Sequence, residues 1–188
     1  MPFFGNRSPK QPSGSSGGTY SVDERDTVQS LAGFAQPSDG APLPVVVASE
    51  HVLSVVFYLQ QTDPSRDGTS CRVVSSDTDD EPVGVASFDG VCAHFFGPPN
   101  DEAFAGHPLS ERGLKPYGAF EVFSSSWIRN LQKMNAVHPY HRPERFASLR
   151  HFILTFHDSI FECVARGYRV EQPAGSLRSV VSGLVSAM

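Results

Sequence analysis

Long apolar runs are missing from this chain. None reaches the roughly 18 residues that a membrane-crossing helix needs, so no membrane insertion is expected. Met1-Pro2-Phe3-Phe4-Gly5 carries no apolar segment of the kind a signal peptide requires. Cysteine is scarce: Cys71, Cys92 and Cys163 are an odd set with no Cys-x-x-Cys pair, which excludes a zinc knuckle and a disulfide framework. Buried thiols in a reducing, cytoplasmic compartment are the expectation. Positive charge is also short. Against 20 Asp and Glu stand 15 Lys and Arg, for a net charge of −5 and a pI near 5.8. The densest basic group, Arg142, Arg145 and Arg150, is interrupted by Glu144. Phosphate backbones require a clustered positive surface, so nucleic acid is not the expected partner. There is no Gly-x-Gly-x-x-Gly, no phosphate loop and no Gly-x-Ser-x-Gly, which leaves no motif that names a cofactor or a nucleophile.

What is present fits one domain. The chain has 188 residues and is 39% hydrophobic, enough for a single core. Residues 1–43 differ from the rest. Ser8 to Gly18 is rich in Pro, Ser and Gly, and such a stretch buries too little apolar surface to offset the entropy of ordering it. A flexible N-terminal tail over 1–43 is predicted, followed by one α+β domain over 44–188. Within the tail, Val28, Leu31 and Phe34 recur at threes and suggest one short helix over Asp26–Phe34.

From Pro44 onward the pattern is β-like. Leu53, Val55, Phe57 and Leu59 alternate with Ser54, Tyr58 and Gln60, the period of a strand. Pro64 to Gly68 reads as a turn, Cys71 to Val74 as a short strand, and Asp77 to Glu81 as a solvated acidic loop. Val83–Phe88 and Val91–Phe96 flank Asp89-Gly90, which predicts a β-hairpin with Phe88 opposite Val91. Residues 97–117 show no period. Ala119–Phe123 reads as a strand, and a serine at 124–126 as the N-cap of a helix over about 125–137, with Trp127, Leu131 and Met134 on its apolar stripe. Pro143 opens a short helix to Leu149. A second hairpin is predicted over His151–Val170, turning at Asp158-Ser159, with Leu154 opposite Cys163 and Thr155 opposite Glu162. Ser176 caps a last helix over about 176–187. The fold class is therefore α+β, with about seven strands in a mostly antiparallel, hairpin-rich sheet.

Candidate chemistry gathers late in the chain. Five of the seven histidines, His107, His138, His141, His151 and His157, fall between residues 107 and 157. On the second hairpin, His151, Thr155, His157 and Glu162 share one face, and a glutamate beside an imidazole orients it as general-base chemistry requires. Asn100, Asp101, Glu102 and His107 sit on a proline-stiffened loop of the kind that carries binding residues. If that loop covers the second hairpin, His107 converges with Glu162. The nominated catalytic residues are thus His157, Glu162 and His107, and the nominated binding residues Asn100, Asp101, Thr155 and His151. His138 and His141 are three apart and are candidate metal ligands with an incomplete set.

Three functions compete. The first is a non-catalytic interaction protein that meets itself or another protein through an exposed apolar patch or sheet edge. The second is a small enzyme or metal-binding protein using the histidine/carboxylate cluster. The third is a small-molecule binding fold whose cavity is lined by some of the 14 phenylalanines. The first makes the fewest demands on geometry.

Overall fold

The computed structural model describes residues 21–61 and 73–188. The Pro/Ser/Gly stretch at 8–18, the turn at 64–68 and Cys71 lie outside the described residues. Val73 and Val74 are described and belong to no strand.

Nine antiparallel strands form two sheets: β1 (Thr27–Ser30), β2 (Val45–Ala48), β3 (Leu53–Tyr58), β4 (Val83–Asp89), β5 (Ala93–Gly97), β6 (Gly118–Phe123), β7 (Arg150–Thr155), β8 (Ile160–Ala165) and β9 (Gly167–Glu171). One sheet has five strands in the order β1-β6-β7-β8-β5, the other four in the order β2-β3-β4-β9. Three α-helices, α1 (Ser126–Asn135), α2 (Glu144–Ala147) and α3 (Leu177–Ser186), and two 3₁₀ turns, Phe104–Gly106 and Ser110–Arg112, complete the described elements. As read from the sequence, Ser125 caps α1 by accepting from the Ile128 amide, and Ser176 caps α3 by accepting from the Ser179 amide.

The sheets face each other across a core built by alternation. Leu53, Val55, Phe57, Ala86 and Phe88 point inward from the four-stranded sheet, and Phe152, Leu154, Phe161, Cys163 and Ala165 from the five-stranded one. The aromatic rings meet directly, with Phe88 and Phe161 centroids 5.3 Å apart and Phe57 and Phe156 5.5 Å apart. These phenylalanines pack on one another as core. The opposite faces are covered too. Val56, Tyr58, Val83 and Val85 lie under Leu177 of α3, while Phe120, Val122, Ile153, Ile160 and Val164 lie under Trp127 of α1 and Phe104, Leu109 and Leu114 of the 98–117 loop.

Two local expectations are corrected. Asp26–Phe34 is not a helix: β1 runs through it and pairs with β6 from Thr27↔Phe123 to Ser30↔Phe120. The spacing of threes arose because Val28 reaches the outer core under α1, whereas Leu31 and Phe34 reach the core between the sheets. This strand lies inside the 1–43 stretch, and its ladder to β6 places residues 27–30 in the sheet. Nor does Asp89-Gly90 close a hairpin. β4 is paired on both edges, with β3 and β9, and β5 pairs with β8 in the other sheet. Gly90, at φ +60°, turns the chain from one sheet to the other, so a left-handed glycine is used for a corner instead of a hairpin.

The weight of the inter-sheet core is testable. Phe161→Ala should lower unfolding stability by about 3–5 kcal/mol in urea titration, the usual cost of emptying a buried phenylalanine site. Val73→Ala, at a side chain 90% exposed, should stay within about 0.5 kcal/mol.

Candidate functional site

The outer face of β7 and β8 carries the candidate site. The two strands do form a hairpin, but its register differs by two residues from the expected one: Leu154 lies opposite Phe161, Ile153 opposite Glu162 and Thr155 opposite Ile160. An even displacement keeps every side chain on its face. His151, Thr155 and Glu162 therefore share the outer face as predicted. The face is not open to water, because the 98–117 loop and α1 lie over it: His151, Thr155 and Glu162 are at most 2% exposed.

Glu162 is the centre of this buried layer. His107, brought in by the loop after the 3₁₀ turn Phe104–Gly106, places Nε2 3.1 Å from Glu162 Oε1. His151 of β7 places Nε2 2.9 Å from Oε2. The other nitrogens have partners of their own. His107 Nδ1 accepts the Leu109 amide at 3.1 Å, so its proton is on Nε2. His151 Nδ1 lies 2.9 Å from Ser125 Oγ, which also accepts from the Ile128 amide. An ionised carboxylate can only accept, so both imidazoles donate to Glu162 through Nε2. Burial alone would raise the carboxyl; the two donors outweigh it and hold Glu162 down to about 2. The Trp127 ring stands edge-on to His151, with centroids 5.1 Å apart. Thr155 ties the loop down: its Oγ1 accepts the Gly118 amide at 2.9 Å and donates to the Lys115 carbonyl at 2.9 Å. That hydroxyl, nominated for binding, is occupied in closing the loop.

A second cluster sits at the turn of the hairpin. Asp101 Oδ2 meets His157 Nδ1 at 2.9 Å and accepts the Tyr117 hydroxyl, and the Asp101 amide donates to the His157 carbonyl at 2.9 Å. The Tyr117 hydroxyl holds Asp101 below the ordinary aspartate range, and Asp101 in turn pushes Tyr117 up to about 12 and raises His157. Asn100 Oδ1 accepts the Ala103 amide and so starts the loop's first turn.

Of the nominated residues, then, the structure joins His107, His151 and Glu162 in one network and Asp101 and His157 in another. It does not join His157 to Glu162. His138 and His141 lie on the α1–α2 connection. His138 Nδ1 accepts the Tyr140 amide, and His141 Nδ1 lies 2.9 Å from Asn135 Oδ1. Among the described residues no three His, Cys, Asp or Glu side chains assemble as a metal-ligand set. Sequence reasoning missed Ser125 and Tyr117. Ser125 was visible only as a helix cap, and nothing in the sequence placed Tyr117 beside Asp101.

Compared with known proteins, the chain matches no family model, no curated protein and no solved structure, so function is argued from its own geometry.

Two predictions follow from the networks. Glu162→Gln keeps the shape but can accept from only one ring while its NH2 faces the other donor, and should cost about 3 kcal/mol in chemical denaturation. A depressed carboxyl stabilises the fold above its ordinary value of 4.5, and that contribution should drain away as pH falls from 4.5 toward about 2 in the native protein. In the exposed cluster, His157 should titrate above its ordinary 6.5 by proton NMR, and Asp101→Asn should bring it back down. Its ion pair is strongest between the ordinary aspartate value of 3.8 and 6.5, and is lost as pH rises through the raised histidine value.

Proposed function

We propose that this chain is a protein-interaction module, and that it holds an acidic, apolar-anchored segment of another protein against the face formed by β6, α1 and α2. The observation that carries the reading is the state of α1. Only Ser126 and Trp127 of this helix are buried, while Met134 is 71% exposed and, just beyond its end, Val137 is 90% and Tyr140 81% exposed. Large apolar side chains standing in water together are a hallmark of interaction surfaces, and Met, Tyr and Arg are enriched at interface cores.

The ground beside them has the shape and charge for a segment of chain. A groove of about 540 Å³ runs between β6, α1 and α2, with Val122, Ile128, Phe146 and Leu149 on its walls. A second hollow of about 260 Å³ follows, lined by Asn135, His138, Tyr140, Arg142 and Arg145. Residues 124–150 contain five Lys and Arg and one acidic residue, a local charge of +4; the remainder of the chain has ten basic and nineteen acidic residues, or −9. This asymmetry favours an acidic partner. Two of the arginines are held within the protein. Arg150 forms a forked pair with Glu121, at 2.8 and 2.5 Å, and Arg129 reaches Asp23 at 2.7 Å, so they shape the rim in place of a phosphate-binding row. A reducing, cytoplasmic setting suits the module, since burial pushes the Cys163 thiol well above its usual range and leaves it inert.

A random peptide library displayed on phage and panned on the purified protein tests this. Enriched sequences should combine Asp or Glu with an aromatic or branched aliphatic anchor, and enrichment should disappear on the Arg142→Glu/Arg145→Glu variant. Enrichment without acidic residues, or unchanged on the variant, would refute the reading.

A further inference from the structure

Ser125 stands where a capping residue has access to more than its helix. It follows β6 directly and precedes α1. Ser124 before it adopts φ +52°, a left-handed conformation that a non-glycine residue rarely takes and that sharpens the strand-to-helix turn. Ser125 is 4% exposed and is one of the residues lining the 540 Å³ groove. Behind it, Ser125 Oγ, His151 and Glu162 are in line: 2.9 Å from hydroxyl to Nδ1, and 2.9 Å from Nε2 to the carboxylate. This is the order hydroxyl, imidazole, carboxylate that activates a serine.

We propose that Ser125 is a nucleophile toward acyl esters and organophosphorus electrophiles that enter this groove, with His151 as its base. The imidazole presents Nδ1 to the hydroxyl and Nε2–H to the acid. Either nitrogen accepts the proton equally well provided the other carries its hydrogen, and Glu162 enforces that tautomer. Glu162 is thus a positioning residue, itself held in place by His107 on its second oxygen. With an ester, Ser125 Oγ adds to the carbonyl carbon and its proton passes to His151 Nδ1. The ester C–O bond then breaks and the leaving alcohol takes that proton. Water repeats the sequence on the acyl-serine and releases a carboxylic acid. The groove walls Val122, Ile128 and Leu149 suit an apolar acyl group.

One feature limits the rate. In strand-to-helix nucleophile turns the amide after the serine stabilises the oxyanion. Here the Ser126 amide is held by Asp26 Oδ1 at 2.6 Å. Withholding one such donor typically costs about 100- to 1,000-fold. The proposal is therefore of a serine that reacts with activated electrophiles and turns over slowly. It uses the same groove as the docking reading but depends on different residues, so either can fail alone.

The test is to treat the full chain with a fluorophosphonate, which forms a serine O–P bond and expels fluoride. Intact mass should show one adduct, and peptide mapping should place it on Ser125. Because the site is read in the unaltered protein, the outcome does not depend on a variant folding. The labelling rate should fall about 100-fold or more in His151→Gln, the contribution of a positioned base. No adduct, an adduct spread over several serines, or a rate equal to that of the heat-denatured chain would overturn the proposal.

Discussion

A carboxylate with almost no contact with water must be surrounded by donors, or it will not ionise there. Glu162 meets that requirement with imidazoles from two separate parts of the chain, His107 from the long loop and His151 from the neighbouring strand. His151 then engages Ser125 at the head of α1. One buried charge therefore fixes where the loop lies, how the helix starts and which face of the five-stranded sheet is closed. The surrounding apolar side chains, Leu109, Leu114, Trp127 and Ile153, exclude water and so strengthen each of these polar contacts. A polar layer of this kind favours one arrangement over its near neighbours, because a loop or helix moved by a few ångströms would strand a donor or the charge itself.

The same logic explains what stays outside. Glu162, His107, His151 and Ser125 are engaged with one another, and Asp26, just before β1, adds a further tie by accepting the Ser126 amide at the head of α1. The α1–α2 face has the opposite character. On the α1–α2 connection His138 contacts the Tyr140 amide and His141 contacts Asn135, while Met134, Val137 and Tyr140 meet solvent. Under the docking proposal, these large apolar groups exposed in one basic region are what a partner would cover. That contrast is why docking is proposed for the whole face, and why the serine chemistry is argued only from Ser125, which lines the groove, with His151 and Glu162 behind it.

Much of this was legible in the sequence, and the failures have physical causes. Alternation along 151–163 set the faces of β7 and β8, since a period of two survives any even change of register; the register itself depends on how many residues the turn at Asp158-Ser159 absorbs. The aperiodic stretch at 97–117 marked a loop, but whether it covered the second hairpin and brought His107 to Glu162 or closed on itself was not decided by any local pattern. Asp89-Gly90 misled because a left-handed glycine signals a reversal without saying whether the next strand joins the same sheet. Val28, Leu31 and Phe34 misled because side chains serving two different cores can imitate one helical stripe. The link from Ser125 to His151, 26 residues apart, and the pairing of Tyr117 with Asp101 are tertiary facts that no local pattern encodes.

Nitrogen-resolved NMR of the imidazole rings at neutral pH tests the central claim most directly. If Glu162 is the shared anionic acceptor, His107 and His151 should both carry a slowly exchanging hydrogen on Nε2, each correlating with the Glu162 carboxylate. Either ring without an Nε2 hydrogen, or Nε2 hydrogens that exchange at the rate of a solvent-exposed histidine, would contradict the arrangement on which the rest of the structure depends.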